Sequence, residues 1–363
     1  MKNFLNLLIS VALIVSLGSC KQKASETKDA GDNLPRVKTP AVLSNSVDNM
    51  LALAQADSLD IHSIVIVKDG NVIYEKWQSQ GEPETPHILN SVSKTFTSLG
   101  VGLAIADGKM KLDDKVIGFF PDKLPAEVSE NLAEMDIRDL LTMTCGHAHD
   151  HTYEMQQLAK ENPSTDWVKQ FLSYPVEFTP GEVYCYNSVG TFMLSAIVQK
   201  VTGKKLAEYL NERIFAPLNI KDATWTETKE GQNFGGWGLY LKTEDLAKAG
   251  QLILQNGEWN GKQLVPAEWI AEMSKRQVAS APAGINATEL VIENADPDWI
   301  QGYGYQMWMC RHHAFRADGA RGQFILILPE QNTVIAITAD TPHMQAELQL
   351  VWDYILPVLN TLK

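Results

Sequence analysis

Cysteine is scarce: the 363 residues contain four, and one of these, Cys20, closes the apolar run at the N-terminus. The other three, Cys145, Cys185 and Cys310, are an odd set, so at least one thiol has no partner within the chain and a disulfide-stapled scaffold is excluded. All three are read as small buried residues, with a bridge between Cys145 and Cys185 as the alternative. Positive charge is also short. Lys and Arg number 31 against 44 Asp and Glu, a formal net charge of −13, and no basic run concentrates them. A nucleic-acid partner needs a concentrated basic footprint, so that class is excluded. The apolar run from Phe4 to Leu17 is too short to span a bilayer, which takes roughly 20 apolar residues. The chain lacks Gly-x-Ser-x-Gly, which excludes an α/β-hydrolase elbow, and His-Glu-x-x-His, which excludes that zinc signature. It has no internal repeat.

What is present is a globular composition, with 45% hydrophobic residues, enough for one large core or two that share an interface. The N-terminus differs from the rest. Lys2, the apolar run and Leu17-Gly18-Ser19-Cys20 resemble a bacterial lipoprotein signal, in which Cys20 is lipidated and becomes the first mature residue; a cleaved secretory signal is the alternative. Residues 21–40 carry many charges and little that is apolar, which predicts a flexible tether. The expected product is exported and held at a membrane through Cys20.

Folded structure is expected from Ala41, where Val47, Met50, Leu51 and Ala54 follow helical spacing. Ser63 to Val67 and Val72 to Trp77 flank Lys68-Asp69-Gly70-Asn71 and predict a hairpin. Ser91 to Ala106 is apolar or small on nearly every face, a buried central helix ending at Asp107-Gly108. From Leu112 to about Ala223 the pattern is helical, with helices over Ile137 to Met143, Trp167 to Leu172, Val189 to Val201 and Leu206 to Ile214. Strands return at Tyr303 to Met309, Gln323 to Leu328 and Thr333 to Thr338, and an apolar helix closes the chain at Leu348 to Leu362. The expectation is an α+β fold: residues 41–111 and 224–363 build a five-stranded antiparallel sheet flanked by helices, and 112–223 form an all-helical insertion.

The chemistry centres on Ser91-Val92-Ser93-Lys94. A serine hydroxyl needs a base, and a spacing of three along a helix puts Lys94 on the same face as Ser91, one turn away. The start of a helix and burial both disfavour the charged form of Lys94. The spacing alone is weak, because Ser25-Glu26-Thr27-Lys28 repeats it inside the tether. Context separates the two: Lys94 sits in an otherwise apolar helix, where a lysine is rare without a role. His147, His149, Asp150 and His151 crowd one short stretch, read as a polar loop at the cleft rim; no metal and no cofactor are expected.

With Ile66-Val67-Lys68-Asp69-Gly70, Ser91-Val92-Ser93-Lys94, Leu112-Asp113-Asp114, Leu140-Leu141-Thr142-Met143-Thr144, Pro180-Gly181, Tyr186-Asn187-Ser188, Gly235-Gly236-Trp237-Gly238-Leu239-Tyr240 and Ala317-Asp318-Gly319 in this order, the chain resembles the penicillin-recognising serine hydrolases. The class C β-lactamase and esterase branch is the nearest. The resemblance implies a β-lactamase/transpeptidase-like fold with the active site in a cleft between sheet and helical region. It implies that Ser91 is acylated, Lys94 activates it and Tyr186 is the motif tyrosine, whose phenol an adjacent ammonium would pull down toward the working range. Backbone N–H groups of Ser91 and Ala320 would form the oxyanion hole.

Two departures stand out. Ser188 replaces the motif asparagine, and Ala317-Asp318-Gly319 stands where family members place Lys-Thr-Gly or His-Thr-Gly. The lost cation and added acid disfavour a substrate carboxylate, with Arg316 or, preferably, Arg321 as substitute, so Ser188, Asp318, Gly319 and Arg321 are the expected substrate contacts. The leading expectation is a serine hydrolase acting on a small-molecule or peptide ester or amide through an acyl-enzyme on Ser91. A D-alanyl-D-alanine peptidase or true β-lactamase is the enzyme alternative, and a catalytically silent cell-wall binding module the alternative of another class.

Overall fold

Two strands separated by one tight turn open the sheet. β1 (Ile61–Lys68) and β2 (Asn71–Trp77) are joined by Asp69 and Gly70, at φ +51° and +75°. Left-handed backbone at both turn positions matches the twist of the flanking strands, as the Asp-Gly pair predicts. The computed structural model describes residues 34–280 and 297–362. The signal segment, Cys20, and Ser25 with Lys28 lie outside the described residues.

β3 (Trp308–Met309), β4 (Phe315–Gly319), β5 (Gln323–Leu328) and β6 (Thr333–Ala339) complete a six-stranded sheet in the order β2-β1-β6-β5-β4-β3, antiparallel at every step. The N- and C-terminal portions of the chain therefore meet at the β1–β6 pairing, as expected. The strand count differs from the expected five. Tyr303 to Met309 contributes only the short edge strand β3, and the Ala317-Asp318-Gly319 stretch lies on the additional strand β4. Arg316 and Asp318 share one face of β4 and neutralise each other, which is what lets a strand bury both.

Both faces of the sheet are covered, and the side-chain alternation assigns residues to each. Ile64, Ile66, Phe324, Leu326, Ile335 and Ile337 pack with α1 (Ala41–Ala56) and the helical segment 344–359. Val65, Val67, Ile325, Ile327, Val334 and Ala336 face the opposite core, shared with α2 (Ser93–Ala106), α3 (Ser188–Thr202) and α4 (Thr243–Leu254). At about 25 cal/mol per Å² of apolar surface buried, this double coverage makes the sheet the stable platform of the molecule. Residues 112–223 contain helices and no named strand among the described residues, and they share that second core, with Asn33–Lys363 forming one compact unit.

The body begins earlier than Ala41. Leu34 is buried, its N–H donates to Glu244 Oε1 (2.7 Å), and Arg36 ion-pairs with Glu75 and Glu244. One apolar side chain and one doubly paired arginine dock the last residues of the predicted tether. The three cysteines are unpaired: Cys145 and Cys310 are buried, and Cys185 is half-buried.

Candidate active site

A short sheet of His87–Ile88, Leu239–Leu241 and Thr224–Trp225 delivers the chain to α2, with Leu89 N donating to Leu239 O (2.9 Å). A 3-10 turn over Asn90–Val92 follows, and Ser91 lies in it, immediately before α2. Asn90 adopts φ +47° and its Nδ2 donates to Ala320 O (2.8 Å), tying the turn to the residue after β4. Gly319 makes that approach possible. A Cβ there would lie 2.2 Å from Leu89 O, closer than any real contact.

Lys94 is 1% exposed, the second residue of the buried helix and one turn beyond Ser91. Its Nζ donates to Gly236 O (2.7 Å) and contacts the hydroxyls of Ser91 (3.0 Å) and Ser188 (3.1 Å), either of which can donate or accept. Burial draws the Lys94 pKa down to about 7, against the opposing pull of Asp150 and Asp318. Near neutral pH, about half the amine is therefore free. A neutral amine has two N–H donors for Gly236 O and Ser188 Oγ and one lone pair for the Ser91 hydroxyl, so the three contacts match the three valences.

Tyr186 and Ser188 flank Asn187, the N-cap of α3, whose Oδ1 accepts from Gly190 N (3.0 Å). The cap thus aims one side chain on each side of it toward Lys94. Nζ lies 4.9 Å from the Tyr186 ring centroid. The expected downward shift of the phenol does not occur. Burial raises it well above its ordinary value, the hydrogen bond to Ser91 opposes this, and Lys94 is too nearly neutral to pull it down. Tyr186 remains a protonated donor near neutral pH.

Ser91, Tyr186, Asp318 and Ala320 line a cleft of about 430 Å³, together with Trp299, Trp308, Pro342, Met344 and Gln345. Trp308 stacks on Tyr186, with centroids 5.6 Å apart and planes at 25°. Arg321, the favoured substitute cation, is absent from the lining: it is half-exposed and ion-paired with Asp340. Arg316 does not line the cleft either: it is fully buried behind Asp318, donating through Nε to Asp318 Oδ2 (2.8 Å) and through Nη1 to Asp298 O (2.8 Å). Its guanidinium lies 4.3 Å from the Trp299 ring. The alternation rule places residues 316 and 318 on the same face of the strand, so Arg316 pairs with the acid, whereas Arg321 lies beyond β4 at φ +68°.

Four further residues contribute without a sequence-level role. Gly236 stands in a motif, and its carbonyl holds Lys94; a Cβ there would come within 2.6 Å of Ser188 O. Trp299 and Trp308 form the aromatic wall; their signal was the density of aromatics between 299 and 308. Gln306 ties helices to sheet, with Nε2 donating to Leu140 O and Leu141 O and Oε1 accepting from Thr191.

In the rim loop, His147 Nδ1 accepts from Asn187 Nδ2 (3.0 Å), buried behind the α3 cap. The ligand atoms of His149, His151 and Glu154 lie within 4.8 Å of one another.

A beta-lactamase family model matches residues 57–360. The 6-aminohexanoate-dimer hydrolase of Paenarthrobacter ureafaciens is 24% identical over 295 residues, covering 77% of this chain and 72% of that protein. Among solved structures, EstCE1, described as a hydrolase with promiscuous acyltransferase activity, superposes with a TM-score of 0.69 at 17% identity, over 85% of this chain and 97% of that one. An octameric penicillin-binding protein homologue from Pyrococcus abyssi gives 0.66 at 20% identity, over 87% and 77%. The chain belongs to the beta-lactamase family, and it is a serine hydrolase on the beta-lactamase/transpeptidase-like fold.

Proposed function

We propose that the protein cleaves esters or amides through an acyl-enzyme on Ser91. The observation that carries this reading is Lys94 Nζ, buried, 3.0 Å from Ser91 Oγ and held near neutrality. In the first step the Ser91 proton passes to the Lys94 lone pair while Oγ bonds to the substrate carbonyl carbon. Negative charge collects on the carbonyl oxygen, facing backbone N–H groups of Ser91 and Ala320. The bond to the leaving group then breaks as Tyr186, hydrogen-bonded to Ser91, gives its proton to the departing oxygen or nitrogen. Lys94 returns its proton to Tyr186, Ser91 Oγ now being the ester oxygen, and water then releases the acyl group by the reverse sequence, restoring the Ser91 proton.

The wall chemistry selects the substrate. Asp318 faces the cleft and Arg316 is buried behind it, so a carboxylate beside the scissile bond meets an acid rather than a free cation. The aromatic surface of Trp299, Trp308 and Tyr186 favours an apolar or amine-bearing group. This supports an esterase or amidase over a true β-lactamase or D-alanyl-D-alanine peptidase. The names of the relatives, a 6-aminohexanoate-dimer hydrolase and a hydrolase with promiscuous acyltransferase activity, agree with an acyl intermediate. Intact mass during turnover of a short p-nitrophenyl ester tests it: a Ser91-dependent acyl adduct supports the proposal, and unchanged turnover by Ser91→Ala overturns it.

Export and lipid anchoring at Cys20 belong to the same proposal. Replacing Cys20 by Ala should release the protein from the membrane fraction; retention there would overturn the anchor.

A further inference from the structure

The stretch from Cys145 to Glu154 carries three histidines that Ser91 chemistry does not use, and they divide into two kinds. His147 faces inward, with Nδ1 against Asn187 and Cys145, and is committed to holding the α3 cap. The His151 ring meets that of His147 edge-on, with centroids 5.4 Å apart, and its other neighbour is His149, at 4.1 Å. Glu154, in the first turn of the helix Thr152–Glu161, reaches back until its Oε1 is 3.6 Å from His149 Nε2. Asp150, between the histidines, is turned away, its Oδ1 accepting from Thr152 N (3.0 Å) and Oγ1 (2.6 Å). Three ligands of two types that suit a transition metal, two imidazoles and a carboxylate, thus converge, and the carboxylate of Asp150 between them is tied elsewhere.

We infer that His149, His151 and Glu154 form a binding site for a divalent transition ion of the zinc type, with a fourth position open to water. Two imidazole nitrogens and a carboxylate oxygen are the donor set that zinc accepts, at about 2.0–2.2 Å each. Tetrahedral coordination at those lengths separates ligand atoms by about 3.4 Å. The three atoms lie within 4.8 Å of one another, so closing on an ion takes a shift of about an ångström.

The residues differ in how readily they make that shift. His151 is 5% exposed, and its ring stacks on Tyr174 with centroids 3.8 Å apart and planes 3° from parallel, so it is the fixed ligand. Its Nε2 is buried without a hydrogen-bond partner among the described residues, a polar atom that the protein itself leaves uncompensated. His149 and Glu154 are exposed side chains on rotatable stems and can close onto the ion. Glu177, whose Oε2 accepts from Ala148 N (3.1 Å), fixes the start of the loop.

The inference is independent of the hydrolytic reading. Its test is zinc titration of the purified full chain in detergent, by calorimetry and by metal content after dialysis. Cobalt substitution is followed by visible absorption, where a tetrahedral site gives intense bands. The wild type should retain one zinc per chain. His149→Ala and Glu154→Gln should each weaken binding at least about tenfold, since even outer-shell changes commonly weaken a site by about 10–100-fold. His151→Phe keeps the ring stacked on Tyr174 while removing the nitrogen; it should lose zinc with an unchanged melting temperature. No zinc retained by the wild type, or a zinc affinity in all three variants unchanged from the wild type, overturns the site.

Discussion

Arg316 Nε donates to Asp318 Oδ2 across 2.8 Å inside a strand where Arg316 is fully buried, so the guanidinium behind the cleft is paired with the cleft-lining acid before any substrate arrives. Removing one member should be far worse than removing both, because it strands a buried charge. Asp318→Ala is expected to lower unfolding free energy by about 3 kcal/mol or more in urea denaturation, and Arg316→Met with Asp318→Leu to recover most of the loss. Asp318→Asn keeps the shape and unmasks the cation. Acylation by a carboxylate-bearing β-lactam should then rise about tenfold relative to a neutral ester, the worth of a hydrogen bond to a charged group. An unchanged ratio by intact mass would remove Asp318 from the specificity argument.

The Lys94 shift sets a pH dependence. Burial is the main cause, and it places the pKa at about 7, so the amine that accepts the Ser91 proton disappears as pH falls through that value. Acylation rate should be flat above about pH 8 and drop about tenfold per unit below about pH 6. Lys94→Met preserves the apolar stem and should lose about 10²–10⁴-fold at every pH, with the inflection near 7 abolished. Stopped-flow acylation with p-nitrophenyl acetate across pH 5 to 9 reads both. A wild-type profile with no inflection between pH 6 and 8 would assign the base elsewhere.

Local spacing carried the first layer of the site, and pairing between distant segments carried what spacing could not. Ser91 and Lys94 are one helical turn apart and were legible, as were the Asp69-Gly70 hairpin and the helix over Ala41–Ala56. Arg316 was not, because its meaning depends on Asp318, a partner two residues along its own strand face. Tyr186 was placed beside Lys94 correctly, but its shift came out with the opposite sign. An ammonium lowers a phenol only if it stays charged, and the burial that drives Lys94 toward neutrality also raises Tyr186. Similarly, the docked stretch after Leu34 reads as tether until Glu75 and Glu244 come within reach of Arg36.

A phenol held protonated helps poor leaving groups and is nearly idle with good ones. Tyr186→Phe should therefore leave acylation by a p-nitrophenyl ester within about threefold of wild type, while an alkyl ester or anilide of the same acyl group slows by about 10²–10⁴-fold. The readout is the slope of log kcat/KM against leaving-group pKa, expected to steepen in the variant. Parallel losses for both substrates would point to a structural role for the Trp308–Tyr186 stack instead.

Gly319 joins the end of β4 to the turn that carries Ser91, and the fit leaves no space for a methyl group. A Cβ at this position would meet Leu89 O at 2.2 Å and Val92 N at 3.1 Å, both backbone atoms that cannot rotate away. Gly319→Ala must therefore push β4 from the turn, moving Ala320 relative to Ser91 and opening the proposed oxyanion hole. The expected outcome is destabilisation of about 1–3 kcal/mol, the usual cost of forced overpacking, with kcat reduced about 10²-fold or more and KM little changed. Gly70→Ala provides the contrast, since nothing lies within 4 Å of its added Cβ and only its φ of +75° opposes the change. That variant should lose about 1 kcal/mol of stability and keep its kcat, because the hairpin it strains is remote from Ser91. Equal kcat losses in the two variants would mean that activity follows global stability, and the close approach of Gly319 to the Ser91 turn would carry no catalytic weight.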